Sequence, residues 1–394
     1  MERTKVKELS SKVLFAAAAI VCIVAVIAIF VFIIIRSVPA LSKIGFFNFV
    51  FGDVWNPDGD DVYAEALVGK YGILTMIVGS IFSTVGALII GGILGFFTAV
   101  FLARFCTPKV KKVFGSVINL LAGIPSVVYG FFGMAVLIPF FANFSPTGDG
   151  AGLLVTSLVL GIMILPTVVS LSKNGMEAVP QELYEGARAL GATHEQAVFR
   201  TVVPAAKSSI TASLILGVGR AIGETMAVIM IAGNSPEFPG GLFGSFGTMT
   251  ANIVLEMGYA GEVQMGALLS TAVILLIFIA IINLLFGLVI SDKRKAKGGK
   301  KLSVGVSLPK WLKPAAIGKV ICWICAVFVA VFLAFIIGYI VIRGVPHLSV
   351  DFLFRNYHYG DEPAILSCIV STLLLIVVSI VIAVPFGIAT AVFL

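Results

Sequence analysis

Long apolar runs alternate with short polar loops along the whole chain. Val13–Ile35, Ile73–Ala103, Val113–Ala142, Leu153–Leu171, Ile210–Ala232 and Met265–Ile290 are each long and apolar enough to cross a bilayer as a helix. Val320–Ile342 and the run from Ser367 to the end make two more. The loops between them sort by charge. Arg3, Lys5, Lys7 and Lys12 precede the first run, Arg104, Lys109, Lys111 and Lys112 follow the second, and Lys173, Arg188, Arg200 and Lys207 lie between the fourth and fifth. The alternate loops differ: Arg36–Gly72 carries Asp53, Asp58, Asp60, Asp61 and Glu65, and Gly233–Gln264 has no Lys or Arg. Basic loops stay inside, so the pattern predicts an all-α polytopic membrane protein. Its N-terminus is cytoplasmic and its first six spans begin and end inside.

One polar stretch inside this pattern has helix grammar of its own, Pro180–Pro204. Pro180 suits a first helical turn, where a missing N–H matters least. Gln181–Leu190 reads helical, with Leu183, Ala187 and Leu190 on one face, and Gly191 fits a C-terminal cap that needs positive φ. Thr193 and Gln196 have capping-box spacing for a second short helix, and Pro204 closes it. Two short helices around a glycine corner predict a compact cytoplasmic knob, either a docking surface or an ordinary amphipathic connector.

Within the spans, three features stand out. Gly91-x-x-x-Gly95 allows close helix approach, although glycine is frequent in membrane helices in any case. Pro125 predicts a kink or break, tolerated where a helix lines a cavity. Arg220 and Glu224 are four apart, which puts them on one helix face if the helix is continuous, and ionised groups at that depth face a polar interior. The pair reads either as part of a solute path, with Thr225 beside it, or as a structural brace between helices.

Composition agrees with the patterning: of 394 residues, 59% are hydrophobic and 12% charged, with a mean hydropathy of +1.10, beyond what a soluble domain hides. The net charge of +7 follows the inside loops, which argues against a nucleic-acid partner. Ser291–Lys319 is the sharpest compositional shift, lysine-rich with glycines between, and reads as a cytoplasmic linker. The five cysteines, Cys22, Cys106, Cys322, Cys325 and Cys368, lie mostly in spans, and Cys322-x-x-Cys325 reads as packing within an apolar helix. Val13–Ile35 is too long for a signal-peptide core and reads as an uncleaved span. No G-x-x-x-x-G-K-[ST], metal cluster or nucleophile elbow occurs, and the three histidines, His194, His347 and His358, are expected in loops. No enzyme active site is expected.

Glu185-Gly186-Ala187, then Gly191, then Pro204 resembles the EAA loop of ABC-importer permeases, E-A-A-x3-G-x9-I-x-L-P, at every step of its spacing. Gly186, Thr201 and Val203 depart from it in residue type. Leu121–Gly133, Asn174–Ala192 and Gly219–Val228 are similar to stretches of the phosphate-specific permeases. The resemblance implies a six-span type I ABC-importer transmembrane domain. It also implies two ATP-binding cassette ATPase subunits docked on the knob and an extracytoplasmic phosphate-binding protein. ATP is then bound by those partner subunits, with no cofactor in this chain. It implies residence in a prokaryotic cell membrane, among membrane lipid, and phosphate as the transported anion; sulfate or molybdate import, an ion-coupled secondary transporter and a phosphate-sensing scaffold are the competing readings. Arginine suits an oxyanion because its guanidinium presents several fixed donors. Arg220, Glu224 and Thr225 are accordingly candidates for the anion path.

Part of the chain repeats. Arg36-Ser-Val-Pro-Ala-Leu-Ser returns as Arg343-Gly-Val-Pro-His-Leu-Ser, and Gly95-Phe-Phe-Thr-Ala-Val-Phe-Leu returns as Gly387-Ile-Ala-Thr-Ala-Val-Phe-Leu. Both matches fall in order and at equivalent places, so a parallel duplication is expected. The predicted organisation is a first permease domain at 1–290, the basic linker at 291–319, and the first two spans of a second, truncated copy at 320–394. The second copy resembles the A-type partner of the phosphate permease pair. Because Leu394 aligns with Leu102, the natural product is expected to continue for roughly 200 residues and to supply a second permease half.

Overall fold

The computed structural model describes residues 2–57, 70–146, 148–295, 314–356 and 364–393. Asp58, Asp60, Asp61, Glu65, His358, Leu394 and linker residues 296–313 lie outside the described residues. The regular elements of the described residues are helices and one small hairpin of two-residue strands. Among the described residues, six helices are long and apolar enough to cross a membrane, and two bent pairs raise this to as many as eight.

In chain order, α1 spans Glu2–Ile44 and is followed by the short α2, Phe46–Phe51. Strands β1, Trp55–Asn56, and β2, Lys70–Tyr71, pair antiparallel with Trp55 opposite Tyr71. Helix α3, Leu74–Ala87, continues through a wide π turn at Leu88–Gly92 into α4, Ile93–Val100, and ends in a second wide turn at Phe101–Phe105. Helices α5, Pro108–Gly123, and α6, Ser126–Phe132, are bent by 95° across Ile124–Pro125, and α7, Ile138–Ala142, prolongs α6. Then come α8, Leu153–Glu177, α9, Gln181–Ala189, α10, His194–Ala197, and α11, Val203–Ala205. Beyond them lie α12, Lys207–Ile222, α13, Met226–Ile231, α14, Met249–Glu256, and α15, Glu262–Lys295. The chain closes with α16, Pro314–Gly344, α17, Val350–Phe354, and α18, Leu366–Phe393.

Contacts divide the chain into two compact units, Ser37–Ile336, and Met1–Arg36 with Ile337–Leu394. In the larger unit α8 is the central helix, buried along most of its length. Glycines set how closely its neighbours approach. A Cβ on Gly91 would run into the carbonyl oxygen of Gly161, and one on Gly95 would lie 2.8 Å from Val168 Cγ1. The Gly91-x-x-x-Gly95 spacing therefore does build a helix seam. On another side of α8, Ser172 and Ser213 hydroxyls meet at 2.7 Å, joining it to α12.

The first stretch of α16 belongs to the same unit. Cys322, Ala326, Val329, Leu333 and Ile336 are buried at helical spacing. Trp323 meets Phe101 edge to face at 4.6 Å. Cys322 and Cys325 are free thiols inside this apolar packing, as the sequence implies. Away from α8, Trp55 Nε1 donates to Glu256 Oε1 at 2.7 Å, and Gln264 donates to the other oxygen, so the hairpin, α14 and α15 are tied at one carboxylate.

In the smaller unit, Thr390 Oγ1 lies 3.6 Å from Cys22 Sγ. The repeated heptapeptides differ in local structure: Arg36–Ser42 lies wholly within α1, whereas Arg343–Ser349 leaves α16 at Gly344 and its Ser349 caps α17.

A test of the glycine seam is direct. Gly91→Ala should destabilise the protein by about 1–3 kcal/mol through overpacking. Gly115→Ala, where an added Cβ meets nothing within 4 Å, should be neutral or stabilising by up to ~1 kcal/mol. Thermal unfolding of both variants in detergent would check the contrast.

Candidate functional site

Two regions answer to the sequence candidates, the knob at 180–206 and the broken spans around Arg220. In the knob, α9 begins after Pro180, which sits at the N-cap position, one residue ahead of the predicted first turn. Gly191 has φ +87°. Its N–H donates to the Arg188 carbonyl while the Ala192 N–H donates to the Ala187 carbonyl. These are the paired bonds of a Schellman cap, which satisfies carbonyls left open at the end of α9.

Thr193 and Gln196 form the capping box: Gln196 N–H donates to Thr193 Oγ1 at 3.3 Å and Thr193 N–H donates to Gln196 Oε1 at 3.0 Å. The second helix does not stop at Pro204. It widens into a π turn at Val198–Val202, continues through Pro204 to Ala205, and bends by 67° into α12. Pro204 has no N–H to return to the preceding turn, which favours the wider turn over a clean stop.

The predicted apolar face of α9 points outward. Leu190 is 91% exposed and Leu183 48%, Glu185 and Gly186 are exposed, and Ala187 is half-buried. Leu190 is thus a nearly bare leucine on an otherwise polar knob. The departure at Gly186 is harmless to the shape, because a Cβ there would meet nothing within 4 Å.

On the opposite side, Tyr184 is half-buried and its hydroxyl lies 2.7 Å from His194 Nδ1. His194 is the first residue of α10, not a loop residue, and its Nε2 lies 3.0 Å from the Arg104 carbonyl. Lys319 approaches Glu195 at 3.6 Å. Hydrogen bonding from its own backbone N–H, ahead of the Thr193 hydroxyl and Lys319, holds the Glu195 carboxyl below the usual carboxylate range.

Around Arg220 the structure corrects the sequence reading. Span five is not continuous: α12 stops at Ile222, Gly223 occupies its C-cap, and α13 starts at Met226. Arg220 and Glu224 therefore do not share a helix face. Glycines at 219 and 223 weaken the helix, and Glu224 finds a better use. Its Oε1 accepts from the Ala227 N–H at 3.2 Å, capping α13. Its carbonyl accepts from Thr250 Oγ1 at 3.0 Å. Thr225 lies in the break itself, where its carbonyl accepts the Ile229 N–H and its hydroxyl approaches the Gly223 carbonyl at 3.4 Å. No ion pair or hydrogen bond to Arg220 occurs among the described residues, so the structure does not contain the brace. A cation in the last turn of α12 does suit the negative end of that helix.

The break predicted at Pro125 lies beside it. Tyr129 donates across the bend to the Leu121 carbonyl at 3.0 Å, and Arg220 is within electrostatic reach of that hydroxyl. Gly130 lets α6 approach α13: a Cβ there would lie 2.9 Å from Ala227 Cα. Two interrupted spans thus face each other at Arg220.

The sequence reading missed the third participant. Residues 233–248, read as part of an outer loop, fold back so that α14 starts against the break. Thr248 caps α14, Met249 N–H donates to Ser80 Oγ at 3.1 Å, and the Gly247 carbonyl packs where a Cβ on Gly79 would be. Thr248 followed by an apolar run was the available signal. The arrangement has a cation and interrupted helix ends, which can hold an anion, and among the described residues it offers no nucleophile paired with a base. Among the described residues no group of His, Cys, Asp and Glu could hold a metal.

A family model described as "Binding-protein-dependent transport system inner membrane component" matches residues 91–295. The protein named probable ABC transporter permease protein YqgH, from Bacillus subtilis, is 36% identical over 75% of this chain and 94% of its own. Phosphate transport system permease protein PstC of Haemophilus influenzae is 30% identical, covering 71% of this chain and 92% of that one. Its namesake from Mesorhizobium japonicum is 32% identical over 66% and 83%. Among solved structures, the MetNI methionine ABC transporter in an inward-facing conformation is 20% identical over 56% of this chain and 96% of that chain, with a TM-score of 0.43.

The glycine corner makes the knob's shape testable. Gly191→Val forces a β-branched residue to positive φ, which should cost about 1 kcal/mol or more. The expected result is normal membrane insertion with several-fold faster proteolytic cleavage within 188–196, read by limited proteolysis against the parent chain.

Proposed function

Since the chain belongs to the family of binding-protein-dependent transport system inner membrane components, and is thus a multi-pass ABC-importer permease whose ATPase resides on separate subunits, we propose that it imports inorganic phosphate. The observation that carries this reading is Arg220, a guanidinium without an ion-pair partner among the described residues, where two broken spans meet. It stands about 20 Å along α12 from Lys207, well into a bilayer. A cation at that depth is costly unless something compensates it. A tetrahedral oxyanion with several acceptor oxygens suits the fork of guanidinium donors. Phosphate, rather than sulfate or molybdate, is supported by the names of the PstC relatives.

The N-terminus and the 180–206 knob lie on the cytoplasmic side of the cell membrane, following the basic loops. Glu185, Gly186, Ala187, Gly191 and Pro204 shape the knob that an ATP-binding cassette subunit grips, with Leu183 and Leu190 as its apolar contacts. Two such ATPase subunits, an extracytoplasmic phosphate-binding protein and a second permease half complete the importer. ATP is bound by the ATPase subunits.

Uptake by the assembled importer in proteoliposomes tests the reading. Radiolabelled phosphate should accumulate with ATP, whereas sulfate and molybdate should not compete at equal concentration. Arg220→Ala should reduce uptake by about 100-fold or more, and Arg220→Lys should restore little, because an ammonium lacks the planar fork. The exchange Arg220→Glu with Glu224→Arg should not recover transport, since the two side chains are not paired. Accumulation of sulfate or molybdate instead of phosphate, or full recovery in the exchanged variant, would defeat it.

A further inference from the structure

The outward side of α9 is what a partner would grip. The inward side raises a different question: what carries a displacement of α9 to the spans? Among the described residues, the hydrogen-bonded route from α9 to the spans runs through one imidazole. A carbonyl can only accept, so His194 Nε2 carries the hydrogen and donates to the Arg104 oxygen at 3.0 Å. In the neutral ring Nδ1 is then the acceptor, and it takes the Tyr184 O–H at 2.7 Å. The ring is held edge-on between aromatic neighbours, with centroids 5.0 Å from Phe105 and 5.7 Å from Tyr184. Arg104 continues the line: its guanidinium lies 5.7 Å from the Tyr184 ring centroid and donates through Nη2 to the Met176 carbonyl at 2.9 Å. Met176 is in the last turn of α8, and Arg104 and Phe105 end the span begun by α3.

We propose that His194 is the positioning residue of energy coupling, a strut that makes spans two and four follow any movement of the docking helix α9. The shape of the route supports this. Each link is short, the imidazole has no rotatable bond between its two polar ends, and neither of its nitrogens has a competing partner among the described residues. A flexible side chain in its place would absorb a displacement; a flat ring bonded at both edges passes it on. The proposal rests on the docking role of the knob given above and not on the identity of the anion.

The test uses the complete importer with its ATPase and binding-protein partners, reconstituted in proteoliposomes. It reads two quantities together: ATP hydrolysed and radiolabelled phosphate moved. His194→Ala should leave ATPase co-purification and stimulated hydrolysis within about twofold of the parent. It should lower phosphate moved per ATP by about tenfold, the effect of losing one or two net hydrogen bonds from the coupled step. Tyr184→Phe, which removes one link, should show a smaller drop, about threefold. His194→Gln, whose amide N–H can still reach the Arg104 carbonyl but whose side chain is flexible, should recover less than half of the ratio. An unchanged ratio in His194→Ala would overturn the proposal. So would a proportional fall in hydrolysis and uptake, or loss of the ATPase subunits from both His194→Ala and His194→Gln. If the parent importer moves sulfate or molybdate and not phosphate, the function proposed above fails while the ratio can still be measured with that anion.

Discussion

Inside a bilayer the backbone has no water to fall back on, so every interruption of a helix must be answered by groups already present. That constraint organises this molecule. The break at Ile124–Pro125 is answered by Tyr129, which bonds back to Leu121. The break at Gly223–Thr225 is answered by the Glu224 carboxylate on the Ala227 N–H and by Thr250 on the Glu224 carbonyl. The returning segment before α14 is answered by Ser80 on Met249. Each answer uses a polar side chain from a different element, and together they bring α3, α6, α12, α13 and α14 to one place. Arg220 lies there without taking part in the repair.

Much of the fold could be read from the sequence because its signals are local or one-dimensional. Apolar length and loop charge locate the spans, and the Thr193–Gln196 box and the Gly191 corner depend on residues within a few positions of each other. The Arg220–Glu224 relation could not be read, because it depended on whether the helix between them survived. Two glycines and a nearby orphan amide at Ala227 decided that, and the i,i+4 rule assumes the answer. The inward return of 233–248 was hidden for a related reason. Absence of Lys and Arg marks the side of a membrane but not depth, and the Gly79–Gly247 approach that admits the segment joins residues far apart in sequence. His194 was assigned to a loop because a four-residue helix is too short to show periodicity.

The knob divides its work between two faces. Outward, Leu183 and Leu190 give apolar area that no part of the described chain covers. Inward, Tyr184 and His194 give directed hydrogen bonds. Apolar contact tolerates a partner that docks and leaves, while directed bonds keep the knob in fixed register with its own helices. Thr201 and Val203, where the chain departs from the EAA pattern in residue type, fall in or next to the π turn of this inner part. The exposed Gly186 falls where no neighbour constrains it.

The contact of Gly91 with the Gly161 carbonyl has a mechanical corollary. A seam between helices usually carries side chains, and side chains can change rotamer to let one helix slip past another by a turn. Here the closest approach is backbone on backbone, Gly91 on Gly161, with the Ile164 and Val168 side chains packed beside it, so slippage of span two past span four meets an obstacle that no change of rotamer removes. The two turn more readily together than past each other. In any cycle of opening and closing, the sliding surfaces are then to be sought elsewhere in the bundle, and the two spans end together at the pair Arg104 and Met176, where the knob is attached.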